Sequence, residues 1–296
     1  MSVHQRIAIT GASGLIGTAL VGHLKAEGHT VQRLVRRAPV GSDEVQWDPQ
    51  SGFVDLEPLR GVDAIIHLAG VGVGDKRWSK KYKSEILNSR LLGTTAIAKA
   101  VAELKPQVFI SASAIGWYGE SGNRAVIESD RVGDDFLAAV CREWEAAADL
   151  AGDVRTVKIR TGLVLDPTGG ALGRMVPLFR LGLGGKLGNG KQWWSWITLH
   201  DHIRAIEFLL ENKISGPVNL TSPNPVTNQQ FTAALARAMH RPALFPAPAI
   251  ALKIALGGFS SEILGSKRVI PQVLQEAGFT WDYPHISEAL SQLVKD

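Results

Sequence analysis

The segment ITGASGLIG, residues 9–17, constrains the fold of this chain more than any other. Its glycines, Gly11, Gly14 and Gly17, recur every three residues between a short β-branched run and an apolar pattern with helical spacing. Such glycines allow a tight turn out of a strand, a close approach of backbone to a pyrophosphate, and close packing of helix on sheet. The segment therefore predicts a strand, turn and helix that bind a dinucleotide. A turn that packs without a ligand is the alternative.

Short apolar segments alternate with helical patterns through the first part of the chain. The apolar segments predict strands, and the stretches between them, most clearly 79–104 and 135–150, have helical spacing or composition. Alternation without hairpin signals predicts a parallel sheet covered by helices on both faces, which is a doubly wound Rossmann fold of the α/β class. The predicted strands lie at 6–10, 30–35, within 62–70, at 107–113 and at 154–160.

The character of the sequence changes after Asp166. Segments rich in glycine and proline, such as PTGGALG and LGLGGKLGNG, separate helical stretches such as HIRAIEFLLEN. We therefore predict two domains: a dinucleotide-binding domain at 1–165, and a smaller, mostly helical substrate domain at 166–296. Some segments of the second domain are allowed to return to the sheet of the first.

Composition narrows the possible partners. Of the 296 residues, 45% are hydrophobic and 20% are charged, and the net charge is only +4. This small excess lacks the clustered Lys/Arg blocks of nucleic-acid binders, so we expect a small-molecule substrate. Cys141 lies in the helical stretch FLAAVCREWEAAA and is interpreted as a packed thiol. Without a signal peptide or a long apolar stretch, we expect a cytoplasmic protein with no membrane partner, and no metal site is predicted.

The end of the second predicted strand, LVRR, bears on the choice between NAD and NADP. A carboxylate at this position would accept bonds from the ribose 2′-hydroxyl and repel a 2′-phosphate. No Asp or Glu occurs from residue 28 to 42, whereas Arg36 and Arg37 can bind a phosphate through charge-assisted hydrogen bonds. NADP(H) is therefore the predicted cofactor. An arginine pair in a solvated loop is the alternative.

Several blocks resemble a known family. ITGASGLIG, HLAG (67–70) and SASAIGWYG (111–119) resemble, in order and spacing, the extended short-chain dehydrogenases/reductases related to nucleotide-sugar epimerases and dehydratases. DKRWS, NSRLLGT, WSWITLHD and QEAGF extend the resemblance over nearly the full length, to an atypical branch described only as epimerase family proteins.

The resemblance implies a Rossmann domain that binds NADP(H). His67, in HLAG, is expected to pack at a strand end rather than to act as a catalyst. Arg90 departs from the family's usual Asn and is expected either to bind a phosphate or carboxylate or to be a solvated helix charge. The predicted cofactor contacts are Gly11, Ser13, Gly14, Leu15, Ile16, Gly17, Arg36, Leu68, Ala69, Gly70, Arg90, Ser111 and Arg160.

The family's proton-transfer pair is missing. Its mechanism uses Tyr-x-x-x-Lys, but Phe136 stands where the tyrosine is expected and Val140 where the lysine is expected. We predict that Ser113, with Ser111 as its alternative, and Tyr118, expected in the cleft mouth, form the substitute catalytic set. A serine that caps backbone and a buried structural tyrosine are the alternatives.

Further candidates follow the strand ends. Lys76 and Arg77 come after HLAG, where they lie either near the ligand or in a solvated loop. The tryptophans of GNGKQWWSWITLHD are expected either to cover the cleft or to pack between domains. His200 is a weaker candidate, and Asp201 is interpreted as a charge at a helix N-terminus. The tryptophans are Trp193, Trp194 and Trp196.

These patterns predict an NADP(H)-dependent, oxidoreductase-like enzyme of the epimerase/dehydratase branch, acting on an unidentified small polar substrate. A non-catalytic module that binds or senses NADP(H) is the alternative, because the usual Tyr/Lys pair is missing. Long helices beside the predicted sheet allow a homodimer.

Overall fold

A computed structural model describes residues 4–295. A mostly parallel sheet of eight strands forms its centre, in the spatial order β12-β8-β6-β5-β1-β2-β3-β4. The strands are β1 (Arg6–Thr10), β2 (Thr30–Val35), β3 (Glu44–Asp48), β4 (Phe53–Val54), β5 (Ala64–His67), β6 (Val108–Ala114), β7 (Ala125–Val126), β8 (Thr156–Thr161), β9 (Leu163–Asp166), β10 (Trp193–Trp194), β11 (Trp196–Thr198), β12 (Gly216–Leu220), β13 (Val226–Thr227) and β14 (Arg268–Val269).

Helices cover both faces of this sheet. The α-helices are α1 (Leu15–Ala26), α2 (Lys80–Leu104), α3 (Phe136–Ala148), α4 (Gly170–Arg180), α5 (Leu199–Glu211), α6 (Asn228–Ala238), α7 (Ala249–Leu256), α8 (Ser260–Leu264), α9 (Gln272–Glu276) and α10 (Ile286–Leu293). Short 3₁₀ helices occupy Glu57–Leu59, Ile115–Tyr118, Asp149–Ala151 and Gly257–Phe259.

Two apolar cores hold the helices against the sheet. Leu20 and Leu24 of α1, with residues of α5, pack on the face formed by Ile7 and Ile9 of β1. On the other face, Ile97 of α2 packs with residues of β5 and β6. The strands are buried on both faces, which explains why they appear as continuous apolar runs in the sequence.

The predicted α/β Rossmann fold is confirmed. β1 pairs in parallel with β2 on one side and with β5 on the other, so the crossovers reverse direction beside β1. In such sheets, ligands bind in the crevice beyond the carboxyl ends of the strands at this reversal. The Gly-rich turn lies there, directly after β1.

Later segments contribute to the same sheet. β12 pairs in parallel with β8, with Val218 opposite Ile159, although it follows the predicted domain boundary. The helices α4, α6 and α10 pack around Trp196 in a separate apolar core. The division at residue 165 stays a prediction. Within residues 4–295, no helix has both the length and the apolar character needed to span a membrane.

Candidate active site

The Gly-rich turn brings backbone atoms unusually close together. A Cβ atom on Gly17 would lie 2.1 Å from the carbonyl oxygen of Gly11, and one on Gly11 would lie 2.9 Å from the Ala69 nitrogen. Gly11 also has a φ of +71°, a region that side chains disfavour. Gly14 caps α1 without a side-chain hydrogen bond, so the N–H groups of the first turn have no side-chain acceptor there. This arrangement suits an anion at the helix N-terminus.

The end of β5 packs against this turn. The Thr10 hydroxyl accepts hydrogen bonds from the backbone N–H groups of Leu68 and Ala69, at 3.1 and 3.3 Å, and lies 2.7 Å from Nδ1 of His67. His67 is fully buried, and burial lowers its pKa to about 3. The imidazole is therefore neutral at physiological pH and packs at the strand end, as the sequence suggests.

Two neighbouring arginines at the end of β2 differ in their partners. The guanidinium of Arg37 donates two hydrogen bonds of 2.6 Å to the carboxylate of Glu44, which holds the pKa of Glu44 at about 2. Arg33 pairs with Asp43. Arg36 is exposed, and it makes no ion pair with any residue between 4 and 295. Of the two predicted arginines, Arg36 is the one whose charge is not already neutralised.

The predicted serine and tyrosine belong to a buried polar network. Ser113 donates a 2.7 Å hydrogen bond to Oε1 of Glu145, and the Tyr118 hydroxyl donates to Oδ1 of Asn219 at 2.7 Å. Only 3% of Tyr118 is exposed, and burial raises its pKa to about 12. The expected location of Tyr118 in the cleft mouth is wrong, because its ring is buried against strands β7 and β14.

Arg160 joins the members of this network. Its guanidinium donates to both carboxylate oxygens of Glu145, at 2.8 and 3.0 Å, and to the Tyr118 hydroxyl at 3.0 Å. It also lies 3.9 Å from the ring centroid of Trp117. The Arg160 side chain is buried and its donors are used inside the protein, and the predicted cofactor contact at the strand end of Arg160 stays a prediction.

Arg90 holds the segment that follows β5. Its Nη1 donates to the carbonyl oxygens of Val71 and Ile86, at 2.9 and 3.1 Å, and the guanidinium lies 4.8 Å from the ring centroid of Trp144. Burial lowers the pKa of Arg90. The solvated-charge alternative is therefore wrong, and the contact of Arg90 with a cofactor stays a prediction. The same holds for Ser111, whose side chain is buried near the end of β6.

An apolar cluster replaces the missing Tyr/Lys pair. Val140 is buried with Tyr82 and Ile86 of α2, and Phe136 packs beside them. The Trp78 ring lies edge-on to Phe136, with 5.2 Å between the centroids. The ammonium of Lys83 lies 4.7 Å from the centroid of Phe136 and 5.4 Å from that of Trp78. A cation thus lies over the ring at the position where the family carries its tyrosine.

Local capping places Lys83 there. The Ser79 side chain caps α2 by accepting a hydrogen bond from the Tyr82 backbone N–H, which fixes the first turn of the helix. Lys83 follows on the next position and faces the start of α3. Sequence reasoning missed this residue, because SKKYKSE has the composition of a solvated helix face.

A pocket of about 470 Å³ opens beside this cluster. Both aromatic and charged side chains line it, and its far wall comes from the C-terminal part of the chain. Its lining residues are Trp78, Lys83, Asp135, Phe136, Leu137, Lys253, Gly257, Gly258, Ser260, Ser261 and Glu262.

The loop between β5 and α2 connects the two sides of this pocket. Arg174 of α4 donates to the Gly74 carbonyl oxygen at 3.0 Å. A Cβ on Gly257 would lie 2.7 Å from Nε of Arg77, so that arginine packs closely on the C-terminal segment. Lys76 lies 3.6 Å from a carboxylate oxygen of Glu85. Arg77 therefore packs behind a residue of the pocket wall, whereas Lys76 is an exposed ion-pair partner.

The tryptophans of GNGKQWWSWITLHD are buried to different extents. Trp196 is fully buried, and its indole N–H donates to the Asn224 carbonyl oxygen at 3.1 Å. Trp194 lies edge-on to Phe231, with 5.2 Å between centroids. The Trp193 indole donates to Oδ1 of Asn123 at 3.0 Å. The structure supports the packing alternative for Trp194 and Trp196.

His200 and Asp201 have polar partners away from the pocket. Nε2 of the exposed His200 lies 2.7 Å from Asp282. Asp201 lies in the first turn of α5, pairs with Arg204 at 3.0 Å and accepts backbone N–H bonds from Asp282 and Tyr283. This agrees with the expected helix N-terminal charge, and Asp201 also ties the C-terminal segment to α5.

Comparison with known proteins identifies the family. Residues 7–221 match the model of the NAD dependent epimerase/dehydratase family. The chain belongs to this family. Residues 247–293 match a domain of unknown function, DUF1731.

Relatives align over nearly the whole chain. An epimerase family protein of Mycobacterium bovis is 46% identical over 288 residues, covering 96% of each protein. The chloroplastic SDR39U1 homolog of Arabidopsis thaliana is 36% identical, over 98% of this chain and 86% of that protein. These names leave the substrate open, and the cytoplasmic location stays a prediction.

Solved structures confirm the architecture. The crystal structure of human epimerase family protein SDR39U1, which contains NADPH, superposes with a TM-score of 0.90 at 32% identity, covering 97% of this chain and 98% of that one. A nucleoside-diphosphate sugar epimerase from Corynebacterium glutamicum gives a TM-score of 0.78 at 35% identity, over 99% of this chain and 58% of that one. The cofactor in the human structure is the one that the sequence predicts here.

Proposed function

We propose that the chain binds NADPH at the Gly-rich turn and catalyses a nicotinamide-dependent oxidation or reduction of a small molecule. The observation that carries the proposal is the 2.1 Å separation between a hypothetical Gly17 Cβ and the Gly11 carbonyl oxygen. Packing as tight as this leaves backbone N–H groups at the start of α1 directed at the crevice. NADPH in the human relative supports the choice of cofactor.

Arg36 would bind the 2′-phosphate of the cofactor. It is the exposed cation at the end of β2, whereas Arg37 is held by Glu44. When bound, NADPH supplies a hydride at its nicotinamide ring, and the chain's own residues must orient the substrate and move the proton.

The pocket beside Phe136 is the proposed substrate site. Phe136 and Val140 have no proton to transfer, while Lys83 carries an N–H donor over the Phe136 ring, 4.7 Å from its centroid. We propose that Lys83 donates a hydrogen bond, and during reduction a proton, to an oxygen of the substrate. Lys253 on the opposite wall adds a second cation, and Asp135 and Glu262 add two carboxylates, so this mixed lining favours a polar substrate with a carbonyl group.

The first experiment measures the cofactor and the reaction. NADPH and NADH binding are compared by titration calorimetry, and carbonyl compounds and nucleotide sugars are screened for oxidation of NADPH. We expect NADPH to bind at least about tenfold more tightly than NADH, since a charge-assisted contact contributes about 1.5–3 kcal/mol. Equal affinities for the two cofactors would contradict the role of Arg36.

Variants then test the proton donor. Lys83→Met should lower turnover by about 10²–10⁴-fold without changing NADPH affinity, and Lys83→Arg should shift the pH profile of kcat. Lys81→Met, on the exposed side of the same helical turn, is the matched control and should retain activity. The relay of Tyr118 and Ser113 stays a prediction: if Tyr118→Phe abolishes turnover at unchanged stability while Lys83→Met does not, that relay is correct.

One observation favours a second function. The apolar packing of Val140 with Tyr82 and Ile86 leaves no ionisable group in place of the family's lysine. A protein that binds NADPH without turnover would sense the cofactor instead of using it. This alternative would be supported if NADPH binds tightly but no compound in the screen oxidises it.

A further inference from the structure

Helix α7 is apolar but exposed. Its sequence, AIALKIAL, contains one charged residue, Lys253, and none of its eight residues is buried. Ile250 and Ile254 are 73% and 70% exposed. A surface helix ordinarily buries an apolar stripe against its own protein. The apolar side chains of α7 thus have no comparable cover within the described part of the chain.

Two neighbouring segments extend this surface. The Phe245 N–H donates to the Gly184 carbonyl oxygen at 3.1 Å, and the Ala247 N–H donates to that of Lys186 at 2.9 Å, directly before α7. These bonds bring the turn after α4 beside the segment that leads into α7. Together they form a surface that we call the apolar face, whose members are each at least half exposed: Leu178, Leu181, Leu183, Leu244, Phe245, Ile250 and Ile254.

The segments that form the apolar face carry only positive charge. No Asp or Glu occurs in residues 167–200 or in residues 212–261. Lys253 and Arg241 are exposed there, and Lys186 is half-buried. On the pocket side, the nearest acidic residue along the chain, Glu262, is paired with Lys267 at 2.8 Å. The apolar face is therefore bordered by cations from its own segments.

We propose that the apolar face docks on the surface of an anionic lipid bilayer. Apolar side chains on a helix can enter the boundary between headgroups and acyl chains, while lysine and arginine meet the anionic headgroups. A second copy of the chain is a poorer occupant, because a two-fold contact through this surface would bring Lys253 and Arg241 towards their own copies. The proposal needs no spanning helix, and it departs from the expectation of no membrane partner, which rested on the lack of such a helix.

Vesicle sedimentation tests the proposal. The full chain is mixed at low salt with vesicles of phosphatidylcholine alone or of phosphatidylcholine with phosphatidylserine. We expect sedimentation with the anionic vesicles and little with the neutral ones. The double variant Ile250→Ser, Ile254→Ser should lower the partition coefficient by at least about tenfold, and Lys253→Glu by several-fold.

Matched controls separate docking from general stickiness. Val40→Ser with Phe53→Ser removes two exposed apolar side chains elsewhere on the molecule, and it should sediment like the unmodified chain. Thermal unfolding of every variant confirms that the fold is retained. No binding to anionic vesicles, or equal losses in the control and test variants, would overturn the proposal. A dimer seen by light scattering that the Ile250→Ser, Ile254→Ser variant dissociates, without vesicle binding, would overturn it in favour of self-association.

Discussion

Two regions at the carboxyl edge of the sheet use polar groups in opposite ways. At the ends of β1 and β2, the N–H groups that begin α1 have no side-chain acceptor at their cap, and Arg36 has no ion-pair partner within residues 4–295. At the ends of β6 and β8, the hydroxyls of Ser113 and Tyr118 and the guanidinium of Arg160 are all bonded within the protein. The first region leaves polar groups open to a ligand, whereas the second uses its polar groups inside the protein.

This difference bears on whether a shared motif carries a shared role. SASAIGWYG resembles the family's catalytic segment, but here Glu145 accepts the hydrogen bond of Ser113 and pairs with Arg160. A hydroxyl with an internal charged partner is a poor contact for a substrate. A Gly-rich turn binds through the shape of its backbone, so its expected role depends less on which side chains surround it.

The largest expected effect lies in the second region. Glu145→Ala should lower the free energy of unfolding by about 3–5 kcal/mol, because it leaves Arg160 buried without its carboxylate. Urea unfolding measures this effect. Glu143→Ala removes an exposed carboxylate on the same helix and should cost less than about 1 kcal/mol. If Glu145→Ala keeps full stability but loses NADPH binding, the two regions are not distinct.

Gly17→Ala should have the largest effect on binding. A Cβ there would meet the Gly11 carbonyl oxygen, so the turn must open and the N–H groups of α1 shift away from the pyrophosphate. NADPH affinity should fall by at least about a hundredfold in titration calorimetry. Gly22→Ala, with open space around the same helix, should leave affinity unchanged and stabilise by about 0.5–1 kcal/mol. Comparable losses of affinity in both variants would argue against the packing explanation.

Acid should destabilise both regions. His67 lies behind the first, His202 bonds Thr161 next to the second, and burial lowers the pKa of each to about 3. Between pH 6.5 and 3 the unfolded chain binds a proton at each histidine that the folded chain does not, so stability falls as pH falls. Each should contribute a loss of about 2 kcal/mol between pH 7 and 5.

Urea unfolding of His67→Asn and His202→Asn at both pH values measures this. Each variant should show a smaller difference between pH 7 and pH 5 than the unmodified chain, whatever its absolute stability. An unchanged pH dependence in either buried-site variant would show that its histidine is not kept neutral by burial.

The smallest effect distinguishes the two arginines. Arg36→Ala should weaken NADPH by about tenfold and leave NADH unchanged, because only NADPH carries the 2′-phosphate. Arg37→Ala is the control, since Arg37 is held by Glu44, and it should preserve the ratio of the two affinities. Calorimetric titrations with both cofactors measure that ratio. A loss of preference in Arg37→Ala alone would reverse the assignment.

The sequence predicts the central strands of the sheet better than the strands near its edges. β1, β2, β5, β6 and β8 coincide with the predicted runs because buried parallel strands are continuously apolar. β3 was missed: EVQWD alternates polar and apolar residues at the sheet margin. β12 was missed because GPVNL begins with the turn residues glycine and proline.

The part of the candidate site that depends on backbone shape could be predicted from the sequence. Glycine spacing located the turn, and the charge at 36 and 37 was visible in LVRR, but only the structure shows that Glu44 pairs with Arg37. Glu145 was missed, although a carboxylate on the buried stripe of Val140, Cys141 and Trp144 signals an internal cation. Its distance in sequence from Arg160 concealed the partner.

The pairing of β12 with β8 affects how the protein can be made. Strand β12, residues 216–220, leaves the ribosome only after every element from β9 to α5. Before β12 appears, the outer edge of β8 has unpaired backbone N–H and C=O groups. Such an edge can pair with another chain during synthesis. A fragment ending at residue 165 would never cover the β8 edge and should aggregate on expression. A fragment that extends through β12 would cover this edge.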